Sequence, residues 1–196
     1  MMREIVKIPI FPLGILPLPR EIVPLHIFEP RYRQLLEDLE AGDGRFGILY
    51  SGIDNRYQLG TILELERILK RHPTGETDIV CRGEQVFILI EYYRKFPGKM
   101  YPGGNVHMLN FEDFEVNEEF DGIFRAYMEA KDQADIGSPI LIDDIANELD
   151  LDIADRLRYL QILNPAKREK FLIERVKFRK HVLDQEAITR NFYIYN

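Results

Sequence analysis

Pro24-Leu25-His26-Ile27-Phe28-Glu29-Pro30-Arg31-Tyr32-Arg33, running on into Gln34-Leu35-Leu36-Glu37-Asp38-Leu39, is the stretch from which the fold is read. Proline has φ already set for a first helical position and has no N–H to leave unsatisfied there, so the chain is expected to arrive extended and turn helical at Glu29-Pro30. Tyr32, Leu35, Leu36 and Leu39 then recur at i, i+3, i+4 and i+7, which makes one apolar face, and Gly42 is placed to stop the helix in a left-handed conformation. A helix with one apolar face must lie on something.

Upstream, Ile8-Pro9-Ile10-Phe11-Pro12-Leu13 and Leu16-Pro17-Leu18-Pro19 supply apolar chain whose prolines forbid a helix and suit an edge strand. Taken with Pro24–Arg33, Arg45-Phe46-Gly47-Ile48 and Leu59-Gly60-Thr61, this order resembles the N-terminal substrate-binding domain of Lon ATP-dependent proteases. The likeness continues in Gly83-Glu84-Gln85-Val86-Phe87, Met100-Tyr101 and Leu160-Gln161. It departs at Val86, where the family commonly has arginine, and at Pro73-Thr74-Gly75, which replaces an Asp-Gly-Arg turn. His26, Phe28, Glu29, Pro30, Arg31, Tyr32, Gly47 and Gly60 carry the structural signature. The resemblance implies a small PUA-like β-barrel followed by helices, in a stand-alone member without the ATPase and Ser-Lys protease modules that follow this domain in full-length Lon proteases.

The residues alone lead to the same architecture. Arg45–Tyr50 reads as a strand, and Gly52-Ile53-Asp54-Asn55 as a turn. Gln58–Leu69 alternates, with Leu63, Leu65 and Arg67 on one face and Glu64, Glu66 and Ile68 on the other. Pro73-Thr74-Gly75-Glu76 and Gly83-Glu84 punctuate strands at Thr77–Arg82 and Gln85–Tyr93, and the loop around Pro97-Gly98 and Pro102-Gly103-Gly104 precedes Asn105–Phe111. These six short strands and one early helix suggest a closed or nearly closed antiparallel barrel over residues 1–114. From 115 to 196 the period is helical. Asn117 caps a helix facing inward through Phe120, Ile123, Phe124, Tyr127 and Met128. Ser138-Pro139 opens one with Ile142, Ile145, Ala146 and Leu149 inward. Asp152 caps a third carrying Leu157, Leu160 and Leu163, and Asn164-Pro165 starts a long fourth through Phe171, Leu172, Val176, Arg179 and Leu183. The class is α+β, with a C-terminal α-helical bundle following the barrel.

At 196 residues and 45% hydrophobic, the chain has enough apolar material for one sizeable core or two small ones. No apolar run approaches the ~20 residues of a membrane span, and Met1-Met2-Arg3-Glu4-Ile5 has no signal-peptide core, so a cytoplasmic location without a membrane partner is expected. The net charge of −7 is unevenly spread. Residues 1–112 carry 14 basic and 15 acidic side chains, 113–155 carry 2 and 14, and 156–196 carry 10 and 4. An acidic helical segment packing beside a basic one accounts for this split more simply than a charged docking tail.

Catalytic groups do not assemble in the sequence. There is no phosphate-binding loop, Gly98-Lys99-Met100 lacking both the glycine spacing and the hydroxyl. Ser51 falls in a turn and Ser138 at a helix cap, neither in a nucleophile elbow. His26, His72, His107 and His181 are scattered, and His26 between apolar neighbours reads as a packed, hydrogen-bonded structural residue rather than a base. The lone Cys81 rules out an intrachain disulfide and a cysteine-cluster metal site, and its alternation with Ile79 reads as a small buried hydrophobe. No enzyme activity, metal or cofactor is expected. Glu29 with Arg31 and Arg33 is expected to form a local ion pair that fixes the helix entry.

Tyr92-Tyr93-Arg94-Lys95-Phe96-Pro97-Gly98-Lys99-Met100-Tyr101 interleaves aromatic and basic residues on a loop, the best interaction candidate in the chain. Tyr92, Tyr93, Arg94, Phe96 and Tyr101 are the expected polypeptide-binding residues. The resemblance implies a non-enzymatic module that binds unfolded or extended polypeptide, with a separate protease or chaperone as a further partner. The alternative is an RNA-binding PUA-like protein, since aromatic-basic loops can stack bases. The acidic charge and near-neutral barrel disfavour nucleic acid, because phosphate contacts need a basic face.

Overall fold

The computed structural model describes residues 5–133 and 137–194; residues 1–4, read above for a leader, lie outside them. Six strands form one sheet: β1 Ile5–Leu13, β2 Ile22–Ile27, β3 Arg45–Tyr50, β4 Leu59–Arg71, β5 Thr77–Tyr93 and β6 Gly103–Met108. Their order is β2-β5-β4-β3-β1-β6, and β6 also pairs with β5, so five strands close a ring and β2 extends it. All pairings are antiparallel except β1 with β3. Contacts divide the chain into two units, residues 1–111 with 153–160, and 112–152 with 161–196.

In the first unit the central stretches of β1, β3, β4 and β5 bury consecutive residues and so are covered on both faces, whereas β2 alternates and the far half of β4 is largely exposed. Ile10, Leu49, Ile62, Phe87, Leu89 and Val106 meet on one side. Phe11, Phe46, Ile48, Leu63, Ile79 and Cys81 point to the other and receive α1, Pro30–Ala41, through Tyr32, Leu35, Leu36 and Leu39. The Tyr32 ring stacks on Phe11 at 3.7 Å between centroids. Gly47 and Gly60 leave room for the Phe87 ring, 2.8 and 2.3 Å from where a Cβ would stand. Helix α4, Ile153–Gln161, belongs with this unit through residue 160, and Arg156 pairs with Glu21 at 2.6 Å.

The six strands differ from the expected six in two compensating ways. Pro24–Ile27, read as an extended entry, is part of the hydrogen-bonded strand β2. The Gly83-Glu84 turn does not exist, and β5 runs through it. Gly83 is there because the Leu18-Pro19 backbone presses on the strand: an added Cβ would lie 2.0 Å from the Leu18 carbonyl oxygen. Arg20 N–H donates to the Gly83 carbonyl and Gly83 N–H to that of Glu21, which ties the loop down. β1 is not an edge strand. β6 takes its residues 5–9 and β3 its residues 10–13, so each half is paired along a single side and its prolines still have a side without a ladder bond. In β4 the irregularity between Leu65 and Arg67 resets the alternation, and Leu65 and Ile68 both pack against the α1 cluster. Gly42 ends α1 at φ −113°, not left-handed; the positive φ belongs to Gly44, at 75°.

The second unit contains α2 Glu118–Ala130, α3 Ile142–Glu148 and α5 Pro165–Ile194. The Asn117 carboxamide oxygen accepts from Phe120 N–H, capping α2 as expected, and Asn164 likewise accepts from Lys167 N–H. Ser138-Pro139 does not open α3, whose N-cap is Leu141. Leu163 falls beyond α4 and is exposed. Acidic and basic segments do meet here: Arg168 of α5, fully buried, lies 3.9 Å from the Asp143 carboxylate, donates to the Glu112 carbonyl and sits over the Phe114 ring.

Gly83→Ala is expected to lower the stability of the first unit by about 2 kcal/mol, the scale of forced overpacking against groups that cannot retreat. Urea unfolding followed by tyrosine fluorescence checks this, with the midpoint falling and the slope unchanged.

Candidate functional site

The expected binding residues sit where the chain leaves β5 for β6, and the structure divides them. Tyr92 and Tyr93 are neighbours on a strand and so point opposite ways. Tyr92, 41% exposed, lies on the side of Arg31 and Tyr32, with burial raising its phenol while Arg31 and Arg94 pull it back. Tyr93 faces the other side, donating to Glu91 at 2.7 Å and accepting from the Asn105 amide at 2.6 Å, with the Lys7 ammonium over its ring. Arg94 is exposed. Phe96 is half-buried and stacks on Tyr101, which is buried and belongs to the α1 cluster. Of the five, Tyr92 and Arg94 offer themselves to solvent, and Phe96 and Tyr101 form the layer beneath.

Asp38 on α1 holds this loop in place. Its carboxylate accepts from the Lys99 ammonium at 2.7 Å and from the Tyr101 hydroxyl at 2.8 Å. These two bonds, the Lys99 bond foremost, hold the Asp38 carboxyl below its ordinary value, while burial and the same carboxylate push the Tyr101 phenol up. One residue along, Met100 N–H donates to the Gln34 side chain at 2.7 Å, and the Met100 side chain stands 51% exposed. Phe96 N–H donates to the Tyr101 carbonyl and Lys99 N–H to that of Phe96, which closes the loop on itself. The result is a fixed loop on a helix, displaying Arg94 and Met100 at the surface with Tyr92 near Arg31. Asp38 was not singled out from sequence. Its i, i+3 relation to Leu35 places it at the margin of the apolar face, but nothing local announces a partner some sixty residues on.

The signature residues are structural in their contacts. Arg31 pairs with Glu29 at 2.7 Å as expected and covers the Tyr32 ring. Arg33 instead ties two turns together, donating to the Phe28 carbonyl at 2.9 Å and the Thr74 carbonyl at 3.2 Å. Phe28 is exposed. His26 is hydrogen-bonded as expected, and its ring stacks with that of Phe28, but it is not packed into the interior. It is half-exposed, with Nδ1 at 2.6 Å from an Asp78 oxygen, and His72 Nε2 lies 2.7 Å from the other oxygen. Two of the scattered histidines therefore share one carboxylate. Cys81 is buried as expected, and desolvation pushes its thiol up to about 12, leaving it protonated at neutral pH.

Since the Asp38 carboxyl titrates lower in the folded chain than in the unfolded one, its bonds contribute fully above the ordinary value of 3.8 and fade as pH falls toward the depressed one. Asp38→Asn is expected to cost about 1 kcal/mol at neutral pH, an ion-pair value reduced for partial exposure, and to flatten the acid limb of a stability profile. Amide exchange in residues 94–101, followed by mass spectrometry, is expected to quicken in the variant while that of β3 stays unchanged.

Among the described residues no helix is long and apolar enough to cross a membrane. A family model described as the ATP-dependent protease La (LON) substrate-binding domain matches residues 7–140. Among solved structures the chain is similar to a Lon N-terminal domain protein from Xanthomonas campestris, at 22% identity and a TM-score of 0.68, over 86% of this chain and 98% of that one. It is also similar to the N-terminal domain of a Mycobacterium avium complex Lon protease, at 18% identity and a TM-score of 0.59, over 88% of this chain and 98% of that one. No curated protein matches it in sequence. At these identities the structural likenesses speak to the fold, and the sequence match from the first strand past the ring carries the membership. The chain belongs to the family of the ATP-dependent protease La (LON) substrate-binding domain.

Proposed function

We propose that this chain binds unfolded or extended polypeptide segments, and that the surface formed by α1 and the β5–β6 loop receives them. The observation that carries the reading is the pair of exposed large side chains Tyr92 and Met100, held on a loop that Asp38 and Gln34 fix to α1. An aromatic ring and a flexible thioether suit apolar side chains of varied shape. Arg94 and Arg31 beside them suit acidic side chains and carbonyl groups. A fixed loop loses little conformational entropy when a partner lands on it, so a small patch can still give useful affinity. Strand β2 adds a second means of contact: it has a single neighbour in the sheet, and an extended segment can pair with a free edge, although Pro24 withholds one donor. The family membership supports the same reading, as that of a substrate-binding domain.

The test is fluorescence anisotropy with labelled, permanently unfolded casein. Tyr92→Ala/Met100→Ala is expected to weaken binding about tenfold or more, the loss typical of a removed anchor, with the fold intact by circular dichroism. Tyr93→Ala, on the opposite side of the strand, is expected to change it little. Absence of binding by the unaltered chain at high protein concentration overturns the reading, and equal binding by the Tyr92→Ala/Met100→Ala variant overturns the placement.

A further inference from the structure

His26, and across the sheet His72 and Asp78 from one hairpin, converge at one corner of the first unit. His26 and Asp78 are opposed residues of the β2–β5 pairing, and His72 follows β4 at the hairpin that leads into β5. Asp78 Oδ1 faces His26 Nδ1 at 2.6 Å and Asp78 Oδ2 faces His72 Nε2 at 2.7 Å. The three ligand atoms all lie within 4.8 Å of one another. Among the described residues no other group of three His, Cys, Asp or Glu side chains does so. We propose that this corner binds one divalent transition-metal ion, with zinc as the best fit, through His26 Nδ1, His72 Nε2 and an Asp78 oxygen.

Chemistry selects the class of ion. Two imidazoles with one carboxylate suit zinc and its late first-row neighbours, whereas calcium and magnesium ask for all-oxygen sites. Ligands about 2 Å from a tetrahedral ion lie roughly 3.3 Å apart, so small side-chain rotations suffice. Each imidazole must offer its Asp78-facing nitrogen without a proton, which moves the N–H to the opposite ring nitrogen. For His26 that nitrogen is Nε2, and the Glu76 carboxylate waits 3.9 Å from it. A carboxylate behind a metal-bound histidine fixes the tautomer and orients the ring.

The surroundings favour a stiff site. Two ligands stand on paired strands, and Arg33 grips the hairpin turn through the Thr74 carbonyl. The half-exposed His26 leaves the corner open to solvent, so water completes the coordination. An ion there would clamp β2 to the β4–β5 hairpin.

The experiment is titration of chelator-stripped protein with zinc sulfate against a chromophoric competitor, together with imidazole nitrogen resonances of the unaltered chain. The expected result is one equivalent bound in the micromolar range, with the ring signals of two of the four histidines shifted. His72→Gln and Asp78→Asn are each expected to weaken uptake more than about tenfold, and His107→Gln to leave it unchanged. No uptake by the unaltered chain at 100 μM zinc, uptake retained by either variant, or shifts in any other number of histidines overturns the proposal. The resonance arm decides the matter even where a variant fails to fold.

Discussion

The seating of α1 on the sheet is the contact from which the other features of the first unit take their positions. Strands β1, β3, β4 and β5 each present a second apolar row that would face water without it. Four buried side chains of α1, with Tyr32 stacked on Phe11, cover that row. Burial of each is worth about 1.5–3 kcal/mol, against roughly 0–1 for an exposed ion pair. Apolar burial therefore decides whether the helix docks. The bonds of its rim, Arg31 to Glu29, Arg71 to Glu40 and Lys99 to Asp38, decide what is displayed once it has docked.

The ring beneath it depends on close approach. Phe87 fills the space left by Gly47 and Gly60 on two adjacent strands, and Gly83 gives way to the Leu18 carbonyl. In each case a glycine is needed for what lies against it across the fold, and its own backbone dihedrals do not ask for one. That explains the pattern of what could be read from the chain. The α1 face was legible because Pro30 and a 3.6-residue period are local facts, and the Asn117 cap was legible for the same reason. Gly83-Glu84 looked like a turn because a glycine beside a charged residue between two apolar runs is a turn in most settings. The backbone that displaced that reading arrives from more than sixty residues upstream.

The same division holds for the site. Loop position and aromatic content marked Tyr92–Tyr101, but whether each ring faces in or out depends on strand phase and on a helix sixty residues away. Phe96 and Tyr101 were drawn into the α1 cluster, leaving Tyr92 and Arg94 outside. The His26-Asp78-His72 cluster was half legible. Once Pro73-Thr74-Gly75-Glu76 is read as a turn, His72 and Asp78 stand near each other across a hairpin. The contribution of β2 was hidden, because strand partners are not written locally.

Both ends of α1 thus serve as brackets. At its first turn Arg33 grips the β4–β5 hairpin, and near its end Asp38 grips the β5–β6 loop. A recognition surface that must accept many sequences needs side chains that adapt on a backbone that does not, since any ordering of the loop would be subtracted from an already modest affinity. The β5–β6 loop meets that requirement by dividing labour among its own residues. Phe96, Lys99 and Tyr101 are committed to the base, and Tyr92, Arg94 and Met100 are left at the surface, where the proposed polypeptide partner would meet them. The near balance of charge over residues 1–112 fits such a surface better than one for a phosphate backbone, because apolar contact needs no long-range field whereas phosphate contacts need a concentrated positive one.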